Sequence, residues 1–476
     1  MTAAALIRAG QALPMRPWPR YLLSSEGWRA MVAALADPAE PAFLGLWADA
    51  AQVHALFLAD APLLASAPVE AGLYAAPSRH RPGAARFERM VADLWGHVAA
   101  HGADSRPMLD HGHWPTLHPL SPRALPYAGA PEPPEFLAVP GAGQHVLRSG
   151  PVAVGPVGGG IGAPVHLHVT AAGSRAMRLE ARTGYAHRGC QALLPGPLPA
   201  GARLAGRLNG EATVAHSTAF AHAAEAALGV EAPPRARALR GVMQELERLA
   251  IHLAVLASVC AAAGDRAAAL RAGSAREGLL RASAAAFGHR LLMDAVVPGG
   301  VAADLAPGGD AAILGALDAA AAQDLMPAAV LDRLGGIGRA GQALHPAGPA
   351  GGLEFGRPVA AAAPAGGDAA ARVRARLQDL PRSAALLRRA LDLLPPGPLI
   401  AALPAGGGEG LGTAEGPHGA VWHWLRLDGG SVADGFALDP AWLHLPLAED
   451  ACAGAALADV PLILASVAAA VPGMDL

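Results

Sequence analysis

The most regular pattern in the chain is an apolar stripe in the segment ARALRGVMQELERLAIHLAVLASVC. Its apolar positions advance by three or four residues, which places them on one face of an α-helix. The positions are Leu239, Val242, Leu246, Leu249, Leu253 and Leu256. Pro233-Pro234 precedes the segment and Gly264-Asp265 follows it, so we predict one long helix between these breaks.

The neighbouring segments indicate a mainly helical region over residues 151–476. SAREGLLRASAAAFGHR and DAAARVRARLQDLPRSAALLRRALDLLP each predict a further helix. VHLHV alternates with a period of two, which predicts a strand with His166 and His168 on one face. AVWHWLRLDGG predicts a strand and a turn. Small sheet elements are therefore expected at both ends of the helical region.

Residues 1–120 have mixed α/β character. GWRAMVAALA predicts a helix, EPAFLGLWAD and VHALFLA predict strands around a turn, and FERMVADLWGHVAA (87–100) predicts another helix. Residues 121–150 are rich in Pro and Gly without periodicity, which is typical of a linker. The overall prediction is an α+β fold, with a small α/β domain, a linker and a larger helical domain. The Gly-rich run before VHLHV lacks the Gly-Lys-Ser/Thr ending of a phosphate loop.

Two polar features of the pattern each allow two interpretations. Glu245, Arg248 and His252 form a polar stripe beside the apolar seam of the long helix. The stripe is either a solvated face with one helix salt bridge or a functional surface. The loop after residue 100 contains four histidines, at 101, 111, 113 and 118. Because zinc sites usually have paired ligands, this loop is better interpreted as rigid and hydrogen-bonded than as a metal site.

Composition excludes several classes of protein. The net charge is −3, no lysine is present, and there is no basic run, so nucleic-acid binding is not expected. The three cysteines, Cys190, Cys260 and Cys452, are far apart, which argues against a disulfide framework or a cysteine-held metal site. The longest apolar runs fall short of the ~20 residues that span a bilayer. We therefore expect a soluble, cytoplasmic protein that could dock on a membrane subunit.

Several motifs, in order, resemble those of the large subunit of nickel–iron hydrogenases. They are GYAHRGCQAL, AHSTAFAHAAEAALGVEAPPRARALRGVMQELERLAIHL, PGGV, GTAEGPHGAVWHWLRLDGG and ADVPLILAS, within residues 151–476. The nearest branch is the energy-converting one typified by formate hydrogenlyase, and the quinone-site subunit of respiratory complex I shares the motifs. ERMVADLWGH in the first 120 residues is similar to the small α/β subunit of complex I. The resemblance implies that small domain fused in front of the large one.

The resemblance also shows what this chain lacks. Hydrogenases have Arg-x-Cys-Gly-x-Cys after the His-Arg-Gly motif, and here the two cysteine positions are Asn209 and Ala212. Their second cysteine pair matches Ala470 and Gly473. Nickel and iron in such sites need thiolate ligands. We therefore expect that this chain binds no metal or other cofactor of its own.

The complex I branch lost the same thiolates, and its vacated cavity binds quinone. Its two headgroup partners, a histidine and a tyrosine, match Gly158 and Gly210 here. Further departures are Gln191-Ala192 in place of Glu-Lys and His418 in place of an arginine. The resemblance therefore leaves open whether the ligand is a quinone or another small acceptor.

The retained residues are His187, Arg188 and the stripe Glu245, Arg248 and His252. In the family, the His-Arg pair and the helix histidine lie where the large subunit faces the iron–sulfur subunit. A titratable group there would couple the reduction of the partner's cluster to proton uptake. The resemblance thus implies that these five residues face a partner's cluster, with Arg248 near the His-Arg pair or near the partner.

The function that follows is a large-subunit-like component of a membrane-associated, ion-translocating oxidoreductase complex, which would not be active alone. Its expected partners are a small iron–sulfur subunit and antiporter-like membrane subunits, which would hold it at the inner membrane from the cytoplasmic side. One alternative is a non-redox structural subunit that couples a soluble arm to the membrane subunits. Another is an active hydrogenase with unconventional ligands.

Overall fold

The fold is given by a computed structural model, which describes residues 1–127, 129, 135–136, 152–154, 164–339 and 367–475. Most of the predicted linker, and the Gly-rich run before VHLHV, lie outside these described residues. The architecture is α+β, as the sequence predicts.

The first 100 residues form a five-stranded sheet with helices packed beside it. The strand order is β1-β2-β5-β4-β3, with β2 and β5 parallel and the other neighbours antiparallel. The strands are β1 (Gln11–Leu13), β2 (Arg20–Leu22), β3 (Ala42–Ala48), β4 (Gln52–Leu58) and β5 (Pro62–Pro68). The helices are α1 (Ala3–Arg8), α2 (Ser25–Ala34) and α3 (Ala85–Trp95).

The helix predicted over 87–100 is too long at its end. α3 stops at Trp95, because Gly96 adopts the left-handed conformation at φ 72°. Residues beyond it form β7 (Val98–Ala100), which pairs in parallel with β6 (Leu73–Ala75). The apolar spacing of the segment does not indicate that the helix ends at this glycine.

The rest of the chain contains small antiparallel sheets, as predicted. One has three strands, β10 (Val152–Val154), β11 (His166–Ala172) and β12 (Arg175–Arg182). Another has the order β13-β18-β17-β16, with bounds Gly196–Pro197 (β13), Gly408–Gly416 (β16), Gly419–Asp428 (β17) and Ser431–Leu438 (β18). Two-stranded pairs are β8 (Thr116–Leu117) with β9 (Leu125–Pro126), and β14 (Val296–Val297) with β15 (Gly300–Val301).

Helices make up most of the second region. They are α4 (Cys190–Leu193), α5 (Leu198–Ala205), α6 (Thr213–Leu228), α7 (Pro234–Ala262), α8 (Arg266–Phe287), α9 (Gly309–Ala321), α10 (Ala328–Leu334), α11 (Ala369–Asp392), α12 (Ala441–Cys452), α13 (Val460–Val467) and α14 (Pro472–Asp475). The 29-residue helix α7 confirms the predicted long helix, and every apolar position of its seam is at most 3% exposed. Burial of that seam against α8, α11 and α13 holds the helical region together.

Helix α6 lies directly on strand β16. The close approach requires glycine, because a Cβ at Gly410 or Gly412 would overlap backbone atoms of α6. This contact fixes the start of α6 next to the end of β16, which positions the site described below.

The N-terminal sheet and the β16–β18 sheet share one hydrophobic core. Trp47 stacks on Phe436 with ring centroids 5.1 Å apart, and Phe87 stacks on Trp442 at 4.3 Å. Arg20 forms a two-point ion pair with Glu409 at the edge of this contact. Division of the chain at residues 120 and 150 stays a prediction, and the two parts are packed together rather than loosely tethered.

Candidate functional site

Two of the four positions that match the hydrogenase cysteines, Asn209 and Gly473, lie against one buried carboxylate, Asp439. Asn209 donates a hydrogen bond from Nδ2 to Asp439 Oδ2 at 2.9 Å. Gly473 lies against the same side chain, since a Cβ there would overlap the Asp439 carboxyl carbon. Ala212 is the N-cap residue of α6, and its backbone N–H donates to the Asn209 carbonyl. Ala470 and Asn209 both line a cavity that is described below.

Two histidines extend this group. His216 Nε2 lies 3.0 Å from Asp439 Oδ2, and its Nδ1 lies 3.0 Å from Nε2 of His423. A carboxylate only accepts hydrogen bonds, so His216 carries its proton on Nε2. Burial favours the neutral acid, but the bonds from His216 and Asn209 outweigh it and hold the pKa of Asp439 below its ordinary value. We call Asn209, His216, His423 and Asp439 the Asp439 cluster.

The residues present do not fit a nickel–iron centre. Asparagine, alanine and glycine supply no soft thiolate at the four positions. The cysteines of the chain are buried elsewhere, where burial raises the pKa of the Cys190 thiol, that of Cys260 to about 11 and that of Cys452 to about 12. Protonated thiols are poor metal ligands. No step of a metal reaction can therefore be assigned to these side chains.

Arg188 joins the two segments that carry the vacated positions. Its guanidinium donates to the carbonyls of Arg207 at 2.7 Å and Leu208 at 2.6 Å, in the turn before α6. It also donates to the carbonyl of Pro472 at 3.3 Å, at the start of α14. Arg188 therefore ties the turn before α6 to the start of α14.

His187 secures the same C-terminal segment. Its Nδ1 lies 2.5 Å from the carbonyl oxygen of Asp475, and its ring lies 5.1 Å from that of Trp114. Burial lowers the pKa of His187. The ring nitrogen therefore acts as a neutral hydrogen-bond donor to the carbonyl.

The polar stripe of α7 is buried, so the solvated-face interpretation is wrong. Glu245 is 4% exposed, Arg248 is 3% exposed and His252 is fully buried. Arg248 donates to the carbonyls of Gly416 and Glu415 at 3.2 and 3.1 Å, at the end of β16, and its Nε lies 3.5 Å from the Glu245 carboxylate. The stripe therefore packs against this chain's own β16 and α11, and the contacts described for Arg248 do not reach His187 or Arg188.

His252 belongs to a second buried cluster, centred on Arg376 of α11. His252 Nε2 lies 3.4 Å from Asp379, and Arg376 approaches His252 Nδ1 at 3.2 Å and His418 Nδ1 at 3.4 Å. His418 Nε2 lies 2.8 Å from Glu211 Oε2. Burial, with repulsion from nearby arginines, lowers the pKa of His252 to about 3. We call Glu211, His252, Arg376, Asp379 and His418 the Arg376 cluster.

A cavity of about 600 Å³ lies between α7, α13 and the β11–β12 sheet. The polar side chains among its described lining are Asn209, Glu211 and Ser258, and the rest of that lining is aliphatic, proline or glycine. Gly210, which matches the headgroup tyrosine of the complex I branch, lines it without offering a hydroxyl. The other headgroup position, Gly158, lies outside the described residues.

The histidine loop is hydrogen-bonded into the structure. His111 lies 2.7 Å from the carbonyl of Thr183 and accepts a bond from Arg182 at 2.9 Å, while His118 lies 3.3 Å from the carbonyl of Asp93. Burial, with repulsion from Arg182, lowers the pKa of His111 to about 4. The prediction that this loop is hydrogen-bonded is confirmed for these two histidines. Across the described ranges, no three His, Cys, Asp or Glu side chains are grouped to hold a metal ion.

The sequence did not single out Asp439, His216, Glu211 or Arg376. His418 could have indicated the Arg376 cluster from the sequence, because it stands where the family has an arginine. In the structure it connects Glu211 to Arg376. Within the described parts of the chain, no helix is long and apolar enough to cross a bilayer.

Comparison with known proteins finds relatives, although no family model matches. Hydrogenase-4 component G of Escherichia coli is 26% identical over 81% of this chain and 72% of its own length. Formate hydrogenlyase subunit 5 of the same organism is 25% identical over 81% and 74%. A component of the NADH-quinone oxidoreductase of Thermodesulfovibrio yellowstonii is 31% identical over 28% of this chain and 33% of its own length.

A solved structure supports the fold. A chain of the membrane-bound sulfane sulfur reductase, an archaeal respiratory membrane complex, aligns with a TM-score of 0.59 at 23% identity, over 68% of this chain and 98% of that one. The resemblance to components of hydrogenases, formate hydrogenlyase and NADH-quinone oxidoreductases that the motifs predict is confirmed by these relatives.

Proposed function

We propose that this chain is a large-subunit-like component of a membrane-associated, ion-translocating oxidoreductase complex that works without a nickel–iron site. The observation that carries the proposal is the Asp439 cluster. Its carboxylate fills the space beside Gly473 and bonds the side chain at Asn209. A hydrogen-bonded network inside the protein thus takes the place where thiolates would hold metal.

The Arg376 cluster supplies the electrostatic function in this proposal. Arg376 is 3% exposed and faces two histidines, and its positive charge acts on His252 together with that of Arg248, while the Asp379 carboxylate offsets part of both. A positive environment raises the reduction potential of a nearby iron–sulfur cluster. A partner's cluster beside this part of the chain would be tuned by it, and His252 would take up a proton when the cluster is reduced.

The relatives support the assembly that is proposed. Two are named as parts of multi-component hydrogenases, and the structural neighbour is part of a respiratory membrane complex. We therefore assign to this chain a small iron–sulfur subunit and antiporter-like membrane subunits as partners. Through them it would sit at the inner membrane, on the cytoplasmic side.

Purification of the tagged chain from its native cells tests the proposal. We expect an iron–sulfur subunit and membrane subunits to co-purify, with a cluster signal in electron paramagnetic resonance. A chain that purifies alone from detergent-solubilised membranes and from the soluble fraction would overturn it.

The same preparation separates the structural alternative from the redox one. The hydrogen bonding of the Asp439 carboxylate favours the alternative, because Asn209, His216 and the backbone N–H of Ala441 satisfy it without a redox group. Membrane partners without any cluster-bearing subunit would establish a structural role. A cluster whose potential responds to changes at His252 would establish the redox role.

A further inference from the structure

The cavity beside the Asp439 cluster is lined mainly by aliphatic residues, and we call the side formed by Asn209 and Glu211 its polar end. Glu211 is the one ionisable side chain in its described lining. Burial alone would favour the neutral acid, but the hydrogen bond and attraction of His418 hold the pKa of Glu211 below its ordinary value. An ionised carboxylate therefore stands at the end of an aliphatic chamber.

The hydrogen-bonding capacity of this end is mostly that of an acceptor. Glu211 Oε2 accepts from His418, and its Oε1 has no partner among the described residues. The Asn209 amide already has partners at both ends, since Oδ1 accepts from the Glu211 backbone N–H and Nδ2 donates to Asp439. A carboxylate oxygen facing a carbonyl oxygen of a ligand would leave both without a donor.

A quinone is thus a poor match for this polar end. Its headgroup carbonyls only accept hydrogen bonds, and the position of the family's tyrosine donor is Gly210. The described lining offers one further hydroxyl, that of Ser258 on α7, and one remaining amide proton on Asn209. The nearest charges to Glu211 belong to His418, Arg376 and Asp439, and none of these three lines the cavity.

We propose that Glu211 determines the specificity of this cavity, which takes an apolar molecule whose polar end donates a hydrogen bond or carries a positive charge. Hydroxyl and ammonium groups satisfy this condition, and a carbonyl does not. The inference deepens the proposed function and rests on it, because it assumes that the complex binds its small molecule in this cavity.

Three eight-carbon probes that differ in the polar end test this specificity. Octylamine, 1-octanol and 2-octanone are titrated calorimetrically into the full-length chain, or into its purified complex, near pH 7. We expect the amine to bind most tightly and the ketone most weakly, with about tenfold or more between them, because hydrogen bonds to charged groups are stronger than neutral ones.

Glu211→Gln keeps the size of the side chain and adds an amide donor. The substitution should weaken the binding of octylamine and strengthen the binding of 2-octanone, so that the preference for the amine over the ketone falls about tenfold. Glu231→Gln, on an exposed carboxylate outside the cavity lining, is the matched control and should change neither. Ala254→Leu narrows the cavity and should weaken all three probes, while the melting temperature of each variant reports whether it folds.

Equal affinities for the three probes, an unchanged preference in Glu211→Gln, or unchanged binding in Ala254→Leu would overturn the inference. Failure of the proposed function would give a different set of results. If the probes behave as expected but no iron–sulfur subunit co-purifies, the cavity keeps its specificity and the assignment to a redox complex fails. If partners co-purify but the probes bind alike, only the ligand class is wrong.

Discussion

The Asp439 cluster is buried throughout, whereas the Arg376 cluster is buried only at its centre. In the first, one carboxylate is bonded by Asn209, His216 and the backbone N–H of Ala441. In the second, Arg376 lies between two histidines, and the outer members reach the surface, with the side chains of Asp379 and Glu211 17% and 47% exposed.

This difference implies that the two clusters have different roles, one in stability and one in pH dependence. A buried carboxylate whose hydrogen bonds are all made within the protein rigidifies the fold, and removing it is costly. An open cluster with a buried histidine can exchange protons with the outside and change charge. We therefore expect substitutions in the Asp439 cluster to act on stability, and substitutions in the Arg376 cluster to act on pH dependence.

The largest effect is expected from Asp439→Ala. It leaves the Asn209 amide and the His216 ring without their acceptor, so the free energy of unfolding should fall by about 3–5 kcal/mol. Because the folded-state pKa of Asp439 is lowered, its contribution is present above about pH 4 and is lost as pH falls through that pKa. Urea unfolding measures both.

Asp428→Ala, at the exposed end of β17, is the control and should cost no more than about 0.5 kcal/mol. A loss below about 1 kcal/mol for Asp439→Ala would mean that the cluster does not hold the centre together.

A smaller effect is expected from Gly473→Ala. The added methyl group would overlap the Asp439 carboxyl, which should cost about 1–3 kcal/mol. Gly278→Ala in α8 meets open space and should stabilise by up to about 1 kcal/mol. Thermal unfolding compares the melting temperatures of the two variants. Equal changes in melting temperature would show that Asp439 does not fill the space beside Gly473.

His252→Met should change how stability depends on pH. Between pH 7 and pH 5 the unfolded histidine gains a proton, while the folded one, with a pKa of about 3, does not. The wild-type protein should therefore lose about 2 kcal/mol more than the variant over this range. Urea titrations at both pH values measure the difference, and His113→Met, an exposed histidine, should leave the wild-type slope unchanged.

The subtlest effect concerns the partner's cluster in the assembled complex. If reduction draws a proton onto His252, the wild-type potential should fall as pH rises, by up to about 59 mV per pH unit. The slope should lie between about pH 3, the pKa of His252, and its higher pKa beside the reduced cluster. His252→Met should lose the slope, and a slope that persists in the variant would return the stripe to a structural role.

Local periodicity was enough to predict α7, its buried seam and the strand VHLHV. His166 and His168 do share one face, where both rings contact Phe136. These features depend on residues close together in the chain, whose spacing is set by helix and strand geometry.

The two clusters could not be predicted in this way. Asn209 and Asp439 are 230 residues apart, and His252 and Arg376 are 124 apart, so no local pattern links them. The stripe was recognised as polar, but its burial depends on α11 and the end of β16 packing over it. The vacated cysteine positions could be found by resemblance, whereas the carboxylate that fills their place could not.

Elemental analysis of the purified chain tests the central claim most directly. We predict no stoichiometric nickel and no iron bound by this chain, with any iron in the complex assigned to a separate subunit. One nickel per chain, retained through purification, would contradict the assignment of Asn209, Ala212, Ala470 and Gly473 as vacated ligand positions, and with it the role given to the Asp439 cluster.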